Sequence, residues 1–206
     1  MERGRFITLE GGEGLGKSTN LKFIENWLSD RGKQVLVTRE PGGTPSGEAI
    51  RSVLLGVNDE ALSGEAELLL LFAARAEHIK KVIRPALASG CWVLCDRFTD
   101  ATYAYQGGGR GLAENRIEYL EHWIQGGLTP DLTFLFDAPV EVGIARARRR
   151  GDPDRFEIED LDFFERIRSS YLKLASQSGD RIRVIDASQS IEAVQTAVRL
   201  ELTKWL

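Results

Sequence analysis

A chain of 206 residues and 22.9 kDa is short for two ordinary domains and long enough to bury one sizeable core. With 42% hydrophobic and 28% charged residues it reads as globular, which excludes a disordered or fibrous protein. The net charge of −4 argues against generic binding to nucleic acid or to an anionic membrane.

In chain order, strand-like runs fall at Phe6–Glu10, Gln34–Thr38, Cys91–Cys95, Leu132–Asp137 and Ile182–Asp186. The last four are nearly continuous in apolar character, the pattern of strands buried on both faces of a parallel sheet. Leu21, Ile24 and Leu28 make a helical stripe between the first two runs, and Gly32 is its expected stop. Thr44-Pro45 reads as an N-cap with proline at the first helical position. A long helical stretch follows from Ser63 to Ala88, then others over Glu114–Gln125, Val140–Arg150, Asp160–Ser176 and Ile191–Leu206. Strands alternating with helices predict one α/β domain spanning the chain. Its expected architecture is a three-layer, doubly wound, five-stranded parallel sheet.

The longest apolar run, Leu68 to Ala74, has seven residues, far below the roughly 20 that cross a bilayer. The amino terminus has no signal-peptide core. Cys91 and Cys95 are the only cysteines and do not form a C-x-x-C pair, so they read as buried free thiols. A cytoplasmic protein is expected.

The strongest motif is Gly11-Gly12-Glu13-Gly14-Leu15-Gly16-Lys17-Ser18, followed by Thr19, which fits G-x-x-x-x-G-K-[ST] between a strand and a helix. Glycines allow backbone N–H groups to turn inward around a phosphate, and the helix N-terminus adds a favourable dipole. Lys17 is placed to reach the β- and γ-phosphates of ATP or GTP, and the Ser18 hydroxyl suits a Mg²⁺ position. A GTPase switch usually carries N-K-x-D, but the four asparagines are followed by Leu, Trp, Asp and Arg. Other charged residues fall at the carboxyl ends of strands, where open α/β sheets bind ligands. Asp96 and Asp137 are both placed to hold Mg²⁺ through water, although helix capping would also account for Asp137. Arg39 and Arg97 suit a second anionic phosphate, and a structural ion pair is the alternative for each.

The blocks Phe-Ile-Thr-Leu-Glu-Gly-Gly-Glu-Gly-Leu-Gly-Lys-Ser-Thr and Thr-Arg-Glu-Pro-Gly-Gly-Thr, then Asp96-Arg97 with Ala104-Tyr105-Gln106-Gly107, resemble the bacterial thymidylate kinase family over nearly the whole chain. The resemblance implies a P-loop kinase fold and transfer of the γ-phosphoryl of ATP to dTMP, with Mg²⁺, in dTTP biosynthesis. It also implies a homodimer. Arg39 and Arg97 would grip the dTMP phosphate, with Glu40 beside them. Phe72 would stack on thymine, Arg75 would hydrogen-bond the base, and Thr102 and Gln106 would face it. Tyr105 would crowd the sugar against a 2′-hydroxyl. Glu13 would face the dTMP side, with Arg39 or the sugar hydroxyl as its partner. Gly107–Gly111 is expected to be a flexible surface turn.

The run from Arg146 to Arg155 holds five arginines in ten residues and breaks at Gly151 and Pro153, the build of a short lid over about 146–157. The phosphate loop has no arginine of its own, and phosphoryl transfer needs positive charge on the moving group. The resemblance is to the subgroup that takes its catalytic arginine from the lid, with Arg150 the first choice and Arg148 and Arg155 behind it. Lys17 and Asp96 complete the expected catalytic set. The alternatives are a kinase for another deoxynucleotide or deoxynucleoside, and a nucleotide-binding switch module.

Overall fold

A computed structural model of the chain describes residues 3–56, 62–148, 155–156 and 159–205. Five strands, β1 (Phe6–Gly11), β2 (Val35–Arg39), β3 (Trp92–Asp96), β4 (Leu132–Asp137) and β5 (Ile182–Asp186), form one parallel sheet in the order β2-β3-β1-β4-β5. Alternate residues of β1 face opposite layers. Ile7 and Leu9 pack with Ile24 and Leu28 of α1 (Lys17–Ser29) and with Val198 and Leu202 of α9 (Ile191–Trp205). Phe6 turns the other way, into a cluster with Val93, Cys95, Ile79 and Ile83. The second face is completed by α8 (Leu161–Gln177), whose Phe163, Ile167 and Tyr171 are buried against Leu135 and Tyr105. The sheet is thus covered on both faces, as its pattern predicts.

The α1 stripe is buried as its spacing requires, and Gly32 closes the helix with φ +74°. Ile24 and Leu28 are wholly buried, contributing about 1.5–3 kcal/mol each. Thr44 caps α2 (Pro45–Leu55), its hydroxyl accepting from Gly47 N–H at 3.0 Å. The Ser63–Ala88 stretch is helical throughout but has three parts: α3 (Gly64–His78), a π-helical segment (Ile79–Ile83) and α4 (Arg84–Ala88).

Three expectations change. The strands β2 and β5 lie at the sheet edges and leave Val37 and Val184 exposed, so only β1, β3 and β4 are buried on both faces. Cys95 is buried, but Cys91 is only half-buried; burial pushes both thiols above their ordinary range. The glycines after Gln106 are no loose turn. They end a π-helical segment (Tyr103–Gly109) that continues α5 (Thr99–Thr102) and lies against α8. A Cβ on Gly109 would sit 2.6 Å from the Phe163 ring, and one on Gly108 would be 2.7 Å from Ser170 Cβ. Close helix approach, not flexibility, explains Gly108 and Gly109.

The helices α6 (Glu114–Gln125) and α7 (Val140–Ala147) complete the described elements. Trp205 packs edge-to-face on Trp92 at 5.8 Å, a structural use. Among the described residues, no helix is long and apolar enough to cross a membrane. Most of the expected lid, including Arg149 and Arg150, lies outside the described residues.

Candidate active site

Register brings three strand ends together. Leu9 of β1 and Arg39 of β2 both lie opposite Asp96 of β3, so the turns that follow these strands converge. Beside them opens a cavity of about 550 Å³, the size of a small-ligand site. Residues Glu13–Thr19 line one part of it, while Arg75, Phe98, Thr102 and Gln106 line another.

The phosphate-loop end is made largely of backbone. Gly14 (φ +69°) passes so close to α7 that a Cβ would lie 2.1 Å from the Gly143 carbonyl oxygen. Gly16 (φ +78°) turns the chain into α1. The Leu15 side chain joins the core, leaving its backbone for any ligand. Lys17 is buried and donates to the carbonyls of Gly11 at 3.1 Å and Gly12 at 2.6 Å. Burial, and then the Arg97 guanidinium, lowers its ammonium pKa. Ser18 and Thr19 are exposed at the cavity.

The two aspartates are now distinguishable. Asp137 is held by Arg168 through two hydrogen bonds of 2.8 and 3.0 Å, so an ion pair rather than a helix cap uses it. Asp96 lines the cavity with Ser18, and its Oδ1 is buried without a hydrogen-bond partner among the described residues. An orphaned carboxylate oxygen beside a hydroxyl is a hard-oxygen donor set that fits Mg²⁺.

Arg97 follows β3 in the left-handed region (φ +69°), the one non-glycine residue among those described with positive φ. Its N–H donates to Leu9 O at 3.0 Å, which fixes the turn. Its guanidinium donates to Tyr171 Oη (3.2 Å), Tyr105 Oη (2.9 Å) and the Glu13 carboxylate. Tyr105 also donates to Glu13 at 3.1 Å. At this turn Glu13 is thus held by Arg97 and Tyr105. Arg39 lines the cavity but is half exposed and pairs with Glu48 at 2.7 Å.

A second layer lies beneath. Glu10, wholly buried at the end of β1, accepts from Phe98 N–H (2.7 Å) and Tyr171 Oη (2.8 Å). Burial, helped by the Asp100 carboxylate, pushes its carboxyl up to about 7. Glu40 is committed to Arg75 Nε (2.7 Å) and His78 Nδ1 (2.9 Å), so it positions those side chains. Arg75 further donates through Nη2 to Phe98 O (3.2 Å) and Thr102 Oγ1 (2.9 Å), while Nη1 is buried with no partner among the described residues.

Other expected site residues fall elsewhere. Phe72 is 2% exposed and packs with Leu68 and Ile117, the Arg75 guanidinium lying 4.8 Å over its ring. Phe72 is not among the residues that line the cavity, whose apolar walls are Leu71, Phe98 and Phe156. Arg155 is buried, donating to Leu54 O (2.8 Å) and Glu67 (2.6 Å), an arrangement that binds it to a counter-charge instead of a phosphate. Arg148 is exposed at the end of α7. Arg146 lines the cavity and is tied to the carbonyls of Ala187 and Ser188. The sequence reading missed Glu10, Glu67, His78 and Tyr171. A carboxylate inside an apolar strand or beside an apolar helical run was the available signal for the first two.

A family model described as thymidylate kinase matches residues 9–198. The chain belongs to the thymidylate kinase family. It is 56% identical over 206 residues to the thymidylate kinase of Methylococcus capsulatus, covering all of this chain and 98% of that one. It is 60% identical over 208 residues to that of Chromohalobacter salexigens, with the same coverage. Its fold matches a crystal structure of thymidylate kinase from Ehrlichia chaffeensis with a TM-score of 0.79, 32% identity and 98% of each chain covered. The family activity, phosphorylation of dTMP to dTDP, is the activity of this chain, and neither a switch module nor another kinase is favoured.

Proposed function

We propose that the two ends of the cavity are the donor and acceptor sites of this kinase, with ATP at the phosphate loop and dTMP between Arg97 and Arg75. One observation carries the assignment. A single cavity is lined by Lys17 and Ser18, by Asp96 and Arg97, and by Arg75 and Gln106. Backbone N–H groups of Gly12–Thr19 would cradle the ATP phosphates. Lys17 would exchange its carbonyl partners for oxygens of the β- and γ-phosphates. Ser18 and Asp96 would hold Mg²⁺, which when bound neutralises charge on the phosphates.

Arg97 would bind the acceptor phosphate, aided by Arg39. Its strained turn and its bonds to Tyr105 and Tyr171 hold the guanidinium in place before substrate arrives. An oxygen of the dTMP phosphate then attacks the γ-phosphorus as the bond to the bridging oxygen of ADP breaks. Lys17 and lid arginine Arg150 would stabilise the charge on the moving group. Arg75 and Gln106 would meet the base, and Tyr105 the sugar.

A homodimer belongs to the same reading. Val53 of α2, Leu69 of α3, and Tyr119 and Trp123 of α6 are exposed apolar residues on three helices that touch in series. A second copy of the chain is the proposed cover. A cytoplasmic location belongs to the same reading.

The direct test is ADP release with dTMP, dUMP, dCMP, dGMP and AMP as acceptors. Turnover with dTMP and failure with the purines supports the site assignment. Efficient phosphorylation of AMP contradicts it.

A further inference from the structure

Glu67 lies on α3, wholly buried, next to the acceptor end of the cavity. Its Oε1 accepts from Gln106 Nε2 at 2.5 Å. Its Oε2 pairs with Arg155 Nη2 at 2.6 Å and lies 3.5 Å from Arg110 Nη2. A carboxylate between two guanidiniums offers only acceptor oxygens. Gln106 must therefore turn its NH₂ group toward Glu67. Its carbonyl oxygen, Oε1, is left without a partner among the described residues, on a side chain that lines the cavity. The same cavity is lined by Arg75, whose buried Nη1 is an unused donor. One fixed donor and one fixed acceptor complement a base edge that carries a carbonyl next to an N–H. Among the pyrimidines, thymine and uracil have that edge. Cytosine has an amino group next to an unprotonated ring nitrogen, the reverse pattern.

We propose that Glu67 is a positioning residue that sets pyrimidine specificity by fixing the Gln106 amide with its carbonyl oxygen toward the acceptor base. Arg155 holds Glu67 from behind, which accounts for its burial away from any phosphate. The inference rests on the base meeting Arg75 and Gln106, as in the site reading above. A site built to hydrogen-bond a group rejects analogues that leave its polar atoms unpaired, by as much as ~10⁴–10⁵-fold.

Replacing Glu67 by glutamine inverts the logic. Arg155 still demands an oxygen, so the new NH₂ faces Gln106, and Gln106 turns its own NH₂ to the cavity. In Glu67→Gln the KM for dTMP is expected to rise at least ~10-fold. The dTMP:dCMP ratio of kcat/KM should fall by a similar factor. Arg155→Met, which keeps the carboxylate beside Gln106, should preserve that ratio within about threefold. Thermal unfolding establishes that each variant is folded. If Glu67→Gln is not, the double variant Glu67→Leu/Arg155→Met takes its place: it removes both buried charges together and leaves nothing to fix the Gln106 amide, so the same ratio is expected to fall. A folded glutamine variant with unchanged KM and ratio overturns the proposal, and so does an equal fall in ratio for Arg155→Met alone. Gln106→Leu separates the two readings. If it leaves the KM for dTMP unchanged, the base does not meet Gln106 and the site reading itself has failed. If it raises that KM while Glu67→Gln does not, only the role of Glu67 is lost.

Discussion

At the phosphate-loop end of the cavity the ligand-facing groups are backbone amides and one lysine, shaped by glycines with positive φ. At the proposed acceptor end they are guanidiniums, phenols and an amide, held from behind by the buried carboxylates Glu10, Glu40 and Glu67. A backbone site binds whatever carries phosphate, and its shape follows from one contiguous stretch of sequence. A side-chain site can tell one base from another, but each charged group in it needs a counter-charge from a distant part of the chain. On the proposed assignment, the donor end is generic and local and the acceptor end is specific and assembled.

The largest effect tests the part of the donor end that the loop cannot supply. Arg150→Ala is expected to lower kcat by ~10³-fold or more, while dTMP affinity barely changes, because that phosphate is assigned to Arg97 and Arg39. Single-turnover rates and a dTMP dissociation constant check both halves. Equal, salt-sensitive losses for alanine at Arg148, Arg149 and Arg150 would reduce the lid to long-range attraction of ATP.

Lys17→Ala comes next, with at least ~10²-fold loss in kcat and an intact fold. Circular dichroism and steady-state kinetics on one preparation decide it. Near-normal turnover in a folded variant would break the donor-end assignment.

The same contrast explains what the sequence made legible. All five strands and the capped helices were readable because apolar spacing and Thr44-Pro45 are local signals. The phosphate loop was readable for the same reason. The partner of Glu13 was not, since Arg97 reaches it from 84 positions away. Glu67 was hidden because its three partners, Gln106, Arg110 and Arg155, come from remote segments. Phe72 packs with Leu68 and Ile117, as an aromatic on an apolar helix does, while the stacking role came from the family resemblance and not from any local signal. The glycines at Gly108 and Gly109 misled because composition does not separate a flexible turn from a close helix contact.

Stability measurements sharpen the comparison further. Gly109→Ala forces a Cβ toward the Phe163 ring and should cost about 1–3 kcal/mol in denaturant unfolding. A tolerated alanine would mean that the π-helical segment is not pressed against α8.

A smaller effect comes from Glu10. Its folded carboxyl titrates near 7, above its ordinary value of 4.5. A raised folded value contributes stability that is fully present below pH 4.5 and lost as pH rises through about 7. Between pH 5 and pH 8 the native protein should therefore lose on the order of 2 kcal/mol relative to Glu10→Gln. Parallel unfolding curves at the two pH values measure it. The opposite slope would mean that the buried carboxylate is stabilised by its donors rather than strained by burial.

The most direct test of a generic donor end joined to a specific acceptor end is kcat/KM for dTMP, dUMP, dCMP and AMP at fixed ATP. The account predicts dTMP first and dUMP ~10–200-fold lower, because the two share a base edge and differ by one methyl group. It predicts dCMP far below both and no turnover of AMP. Comparable efficiency with dCMP or AMP would contradict it, since an acceptor end of fixed donors and acceptors cannot accept a base with the reverse pattern.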